Sequence, residues 1–192
     1  MREHSRLLGA FVRKPTRTGA IAPSSRRLAE VMTTEMGLAG AETVVELGAG
    51  TGVFTRLIAE RVKPGATVLA FEIDARLARQ LDGKIPGVRI VNDSAERIAE
   101  HLAAAGRASA DSILSGLPWA VFPRELQQTL LTSVLGALRP GGLFATFAYI
   151  PAAWFPPGRR FRAMLAGGFA SVETTRVVWG NVPPAFVYRC RK

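Results

Sequence analysis

The stretch VVELGAGTGVF, Val44 to Phe54, decides how this chain folds. A short apolar, β-branched run ends in an acid, Glu46, and three glycines follow at alternate positions: Gly48, Gly50 and Gly52. The run reads as a buried strand over 43–47, and the residues after the glycines predict a helix over 53–62. Glycines placed directly after a strand permit a tight turn and let a ligand approach the backbone closely. The spacing is G-x-G-x-G. The nicotinamide or flavin fingerprint, G-x-G-x-x-G, needs its third glycine where Val53 stands. A buried carboxylate beside a pyrophosphate is repelled, whereas beside a cation it is attracted. S-adenosyl-L-methionine carries an ammonium and a sulfonium and no phosphate, so the motif points to that cofactor.

Outward from this motif, strand and helix alternate. PGATVLAFEID supplies a second strand ending near Glu72, and a helix over 75–83 leads to a third, VRIVND. A helical segment from Ala95 to Ala105 precedes the strand DSILSG. An amphipathic helix over 124–138, closed by RPGG, precedes a fifth strand, LFATFAY. The terminal SVETTRVVWGNVPPAFVYRC reads as two strands joined by a Gly/Asn/Pro turn. Five alternations with a closing hairpin imply a mostly parallel sheet with helices on both faces, whose ligands bind beyond the carboxyl ends of the strands. Upstream, residues 4–14 read as a short helix and Ser24 or Ser25 as the cap of another that runs to about Met36.

Two more acids fit the same ligand. Glu72, at the end of the second strand, can accept from both ribose hydroxyls, and Asp93, in NDSA with Ser94 beside it, can accept from the adenine amino group. Three acids at three consecutive strand ends, together with the glycines, make isolated surface carboxylates a poor explanation.

The 192 residues carry a net charge of +10, and the placement of that charge is uneven. Residues 1–27 hold seven Lys/Arg against one acid, and residues 159–192 again hold seven against one. The middle holds eleven bases and thirteen acids. Basic ends suggest contact with phosphate, on nucleic acid or on a lipid surface. There is no apolar run of about 18 residues to span a membrane, and the N-terminus has no apolar stretch long enough for a secretory signal. With the single cysteine Cys190, a cytoplasmic location is expected. No metal site is expected.

The fourth strand ends in SGLPWAVFP, Ser115 to Pro123. Here the chain resembles class I methyltransferases, and two families among them. One is the ribosomal RNA adenine-N6 dimethyltransferases, whose Asn-Leu-Pro-Tyr motif is matched by Gly116, Leu117, Pro118 and Trp119. The other is the bacterial phospholipid N-methyltransferases, which methylate phosphatidylethanolamine. These have a Ser-Gly-Leu-Pro motif like Ser115 to Pro118, a segment similar to TGAIAPSS at Thr18 to Ser25, and a turn like NVPPA at Asn181 to Ala185. The second resemblance covers nearly the whole chain. It implies a Rossmann-like α/β fold with a seven-stranded sheet and an antiparallel last strand, organised as an N-terminal basic segment, 1–27, and a methyltransferase domain, 28–192. Ser115 and Gly116 then belong to the cofactor site. In the RNA enzymes the asparagine accepts from the target amine and the aromatic stacks on the flipped base. Gly116 has no side chain to accept with, and the chain ends at Lys192 without the helical domain those enzymes usually append. Nucleic acid is therefore the less favoured acceptor. A small-molecule amine and a cofactor-binding protein without turnover are the remaining alternatives.

On the lipid reading, Trp119 and Tyr149 are expected to flank the acceptor amine by cation–π contact, with Leu117 and Pro118 beside it. His4 and His101 are lone histidines with no assigned role. Leu7, Leu8 and Phe11, with Arg13, Lys14 and Arg17, have the pattern of a helix lying on an anionic membrane surface. WFPPGRRFRAML, with Arg159 and Arg160, is expected to form a second lipid-facing element, which makes the protein peripherally membrane-associated.

Overall fold

The computed structural model describes residues 24–192. The expected helix over 4–14, with Leu7, Leu8, Phe11, Arg13, Lys14 and Arg17, lies outside the described residues. The first helix, α1 (Arg26–Thr33), is capped by Ser25, whose hydroxyl accepts from the Leu28 amide. It buries Leu28, Ala29 and Met32 and joins the same apolar layer as Ile58 and Val187, so residues 26–33 pack as part of the main domain.

Among the described residues, six further α-helices and seven strands follow. They are β1 (Thr43–Leu47), α2 (Val53–Arg61), β2 (Thr67–Phe71), α3 (Ala75–Leu81), β3 (Val88–Val91), α4 (Ile98–Ala104), β4 (Ala110–Ser115), α5 (Arg124–Ala137), β5 (Leu138–Tyr149), α6 (Ile150–Trp154), α7 (Pro156–Gly168), β6 (Ser171–Thr174) and β7 (Ala185–Arg191). The strands form one sheet in the order β3-β2-β1-β4-β5-β7-β6. Pairing is parallel from β3 through β5, and β7 is antiparallel to both of its neighbours. This is the mostly parallel, seven-stranded Rossmann-like sheet that the alternation implied.

Every residue of β1 is buried, because the strand lies between β2 and β4 with helices on both faces. Such a strand reads as a continuous apolar run and not as an alternation. One face of the sheet packs against Ile98, Leu102, Leu126, Leu130, Phe161 and Leu165 of α4, α5 and α7. The other packs against Leu28, Met32, Phe54 and Ile58 of α1 and α2.

Two elements differ from the sequence expectation. RPGG does not end helix α5 as a free turn. It is absorbed into β5 as an irregularity, where the register with β4 jumps from Ala110↔Leu138 to Ser112↔Leu143. Gly141 permits this at φ +71°, and its amide donates to the Lys192 carbonyl at 2.8 Å. The segment after β5 is two helices, not one element. They meet at Phe155 and Pro156, and the corner is closed by Gly158: a Cβ there would lie 2.3 Å from the Ala152 carbonyl oxygen.

Candidate active site

The glycine turn is built by backbone hydrogen bonding to the neighbouring strand. The amides of Gly48 and Ala49 both donate to the Phe71 carbonyl, at 2.9 and 3.0 Å. Gly48, Gly50 and Gly52 all have positive φ, from +56° to +81°, a region that side chains with a Cβ rarely adopt. At Gly52 there is also no room, since a Cβ would meet Leu81 Cδ2 at 2.7 Å. The glycines therefore make the tight turn into α2 that the spacing implied, with the Gly48, Ala49, Gly50 and Gly52 amides all taken up within the chain.

Glu72 pins this turn. Its Oε2 accepts from the Gly50 amide and its Oε1 from the Asp74 amide, both at 2.8 Å. The carboxylate is buried, and each oxygen keeps a further lone pair for a ligand hydroxyl. Asn92 holds the backbone beneath it by donating to the Glu72 carbonyl at 2.8 Å.

Glu46 is the most unusual group in the fold. It is 0 % exposed, and both carboxylate oxygens lack a hydrogen-bond partner among the described residues. Burial pushes its pKa from 4.5 up to about 7; the neighbouring Thr55 hydroxyl pulls it down without reaching hydrogen-bonding geometry, and the Glu72 charge raises it. A buried carboxylate without a partner among the described residues, under a glycine turn, is a group that a cation or a hydrogen-bond donor would stabilise. The ammonium and sulfonium of S-adenosylmethionine fit that requirement, and a phosphate-bearing cofactor does not.

Asp93 is less free than expected. Its Oδ1 accepts from the Ser94 amide, and its Oδ2 is shared by Arg97 Nη1 and His101 Nε2, each at 2.8 Å. Burial alone would raise its pKa, but the His101 hydrogen bond, the Ser94 amide and Arg97 together hold it below the usual carboxylate value. Ser94 is buried and its hydroxyl caps the following 3-10 turn, accepting from Glu96 at 3.3 Å. His101, read from sequence as a lone histidine, is thus a partner of Asp93, and its ring meets Phe71 edge-on at 5.3 Å. The signal was present in the spacing: Arg97 and His101 stand four and eight residues after Asp93, although in the structure Asp93 precedes the helix, Arg97 caps it and only His101 lies within it.

Ser115 is fully buried, and its hydroxyl is taken up within the chain: it accepts from the Leu117 amide at 3.3 Å and from Trp119 Nε1 at 3.0 Å. Gly116 packs backbone to backbone against the glycine turn, where a Cβ would lie 2.9 Å from the Gly48 carbonyl oxygen. Leu117 is buried beside Gly48, and Pro118 opens the 3-10 turn Trp119–Val121.

Trp119 departs furthest from expectation. It is only 2 % exposed, and its ring stacks on Phe161 of α7 at 4.5 Å and 15°. Tyr149 packs with Phe147 and Phe54 on the opposite face of the sheet. The structure does not bring the two together around one amine. Tyr149 keeps the more suggestive position: at the carboxyl end of β5 its buried hydroxyl has no partner among the described residues, and burial raises its pKa. Of the two arginines, Arg159 is exposed, while Arg160 turns inward and donates from Nε to Gln127 Oε1 at 3.0 Å. Gln127, fully buried and not foreseen from sequence, in turn donates to the Trp119 carbonyl at 2.6 Å.

Residues 44–142 match the family model described as "Methyltransferase domain". The chain belongs to this methyltransferase family. It is 34% identical to an ornithine lipid N-methyltransferase of Singulisphaera acidiphila over 194 aligned residues, covering 100% of this chain and 97% of that one. It is 40% identical to ribosomal RNA small subunit methyltransferase A of Thermotoga petrophila, but over only 75 residues, 38% of this chain and 28% of that one. Among solved structures, the O-methyltransferase TomG of Streptomyces achromogenes in complex with SAM superposes with a TM-score of 0.67 at 20% identity, covering 98% of this chain and 89% of that one. The methyltransferase is an S-adenosylmethionine-dependent enzyme, and Glu46, the glycine turn and Glu72 are the groups whose chemistry fits that cofactor.

Proposed function

We propose that this methyltransferase transfers methyl groups to the head-group amine of a membrane lipid, phosphatidylethanolamine and its methylated products, working peripherally at an anionic membrane surface from the cytoplasmic side. The observation that carries the reading is the similarity, end to end, to an ornithine lipid N-methyltransferase. The RNA relative aligns over a central segment only. Gly116 adds a physical argument, because the asparagine of the RNA enzymes would drive a Cβ into the Gly48 carbonyl. Among the described residues no helix is long and apolar enough to cross a membrane.

When bound, the cofactor supplies a methyl group on a sulfonium, which leaves as a neutral thioether. The protein's part is alignment, worth about 7–11 kcal/mol when the reacting atoms are held in line. Glu46 and Glu72 fix the cofactor end. The acceptor must present a neutral amine, since an ammonium has no lone pair. The Tyr149 phenol, neutral at physiological pH and unpartnered among the described residues, is the group proposed to receive that amine by hydrogen bond. The rings of Tyr149 and Phe147, edge to face at 5.3 Å, form the apolar wall that excludes water.

The test is incubation of the purified protein with labelled S-adenosylmethionine and, separately, liposomes containing phosphatidylethanolamine, liposomes containing ornithine lipid, and total RNA. Label in the phosphatidylethanolamine series is the expected result. Label in ornithine lipid alone would keep the lipid class and replace the acceptor. Label in RNA alone would overturn the reading.

A further inference from the structure

Five large apolar side chains are exposed among the described residues: Val121 (42 %), Phe155 (64 %), Trp179 (74 %), Val182 (76 %) and Trp154 (78 %). All five lie at the carboxyl end of the sheet. Val121 follows β4, Trp154 and Phe155 follow β5, and Trp179 and Val182 sit on the loop that enters β7. Because β7 runs antiparallel to β5, with Tyr149 opposite Ala185, that loop reaches the same edge as α6. The two are tied directly: the Ile150 amide donates to the Pro184 carbonyl at 3.0 Å.

Both loops are built to hold these residues outward. In the β6–β7 loop, Asn181 is buried between Trp179 and Val182. It accepts from the Ser25 amide at 3.0 Å and donates to the Pro183 carbonyl at 2.7 Å. The Val178 amide donates to the Ala185 carbonyl at 2.7 Å. In the α6–α7 corner, Gly158 lets the helices close so tightly that any side chain there would collide with the Ala152 backbone. Firmly braced, exposed tryptophans are a poor surface in water and a good one at a bilayer interface, where the indole has both an apolar and a wet side.

The charge around them selects the partner. Residues 116–123, 150–168 and 175–184 contain no Asp or Glu. Arg159, Arg162 and Arg176 are exposed on the same segments, and Arg27 is exposed beside Gly180. Two copies of such a face would repel each other, whereas an anionic lipid surface complements it.

We propose that Trp154 and Phe155 together with Trp179 and Val182 form a two-loop rim that inserts into the head-group boundary of an anionic bilayer and seats the end of β5 on the lipid. This rests on the lipid reading above and names the surface that reading needs. The β6–β7 loop is the element it adds.

The experiment uses the full-length protein and vesicles of phosphatidylcholine with and without phosphatidylglycerol. Vesicle binding is measured for the wild type, Trp154→Ser/Phe155→Ser and Trp179→Ser/Val182→Ser. Each double variant is expected to weaken partitioning by roughly 10- to 100-fold, from the loss of two large apolar side chains, with cofactor binding and thermal midpoint unchanged. The chain has three tryptophans, and Trp119 is buried. In Trp154→Phe and Trp179→Phe, brominated lipid should therefore quench the one exposed indole that remains. Turnover on a detergent-dispersed short-chain lipid should survive in both double variants. Wild-type vesicle binding by both, or an unquenched Trp179, would overturn the rim. So would a wild-type dimer in sedimentation that the variants dissociate, or RNA binding lost in place of vesicle binding. If the variants lose vesicle binding but wild type labels no lipid, the rim stands and the acceptor assignment falls.

Discussion

The carboxyl edge of the sheet has two halves of opposite character. At the carboxyl ends of β1, β2 and β3 stand three acids: Glu46, fully buried and without a hydrogen-bond partner among the described residues, and Glu72 and Asp93, which accept from backbone amides. Beyond β4, β5 and before β7 the loops have no acid, and five large apolar residues lie exposed among arginines. The acids of one half suit a small cation, and the other half, on the proposal above, meets an extended anionic surface. The difference teaches that one sheet edge can divide its charge between two kinds of partner, with the glycine turn and Gly116 in close backbone approach where the halves meet.

The largest effect that would break this division is expected at Glu72. Glu72→Ala removes two charge-assisted hydrogen bonds, one from the Gly50 amide of the turn and one from the Asp74 amide ahead of α3, each worth about 1.5–3 kcal/mol. Calorimetry should show S-adenosylmethionine binding weakened by at least ~100-fold, while vesicle binding stays at the wild-type level. If vesicle binding falls equally, the halves are not separate.

Next comes Glu46. Its folded-state pKa, about 7, lies above the unfolded value of 4.5. Its contribution to stability is therefore full below about pH 4.5 and is lost as the pH rises through about 7, a decline on the order of 3 kcal/mol in the cofactor-free protein. Glu46→Gln should flatten that decline in denaturant titrations. Cofactor binding favours the ionised carboxylate, so wild-type affinity should rise with pH through the same window and the variant's should not.

Gly116→Asn tests the junction of the halves. A side chain pressed against the Gly48 carbonyl should cost about 2 kcal/mol of stability and lower methylation of every acceptor without creating RNA methylation. The smallest effect is expected for Trp119→Phe. It keeps the stack on Phe161 and loses the bond to Ser115, so a drop of about 1 kcal/mol with near-normal kcat is the outcome. A large fall in kcat with unchanged stability would instead return Trp119 to the acceptor site.

The cofactor half was legible in the sequence because its chemistry is local. Glu46 and the glycines lie within one strand and turn, and Glu72 falls where its strand stops. The acceptor half was not, because its decisive relations are distant in the chain. Leu-Pro-Trp reads alike whether the indole turns out to an acceptor or in to Phe161, and only the packing of α7 shows which. Arg160 had the pattern of a surface arginine until Gln127 turned it inward. Trp179 and Val182 read as part of a hairpin turn; their exposure at the active edge follows from the antiparallel return of β7 beside β5.

By itself, the sequence determined the strand–turn–helix unit at Val44–Phe54, the order of alternating elements and hence the parallel sheet, since hydrophobic period and glycine placement act over a few residues. The tertiary structure alone decided which side chains remain without partners among the described residues. Glu46 is orphaned, Asp93 is shared with His101, Ser115 is spent on Trp119, and two tryptophans are left in solvent. Partnership and exposure depend on what the rest of the chain brings alongside, and no local pattern carries that information.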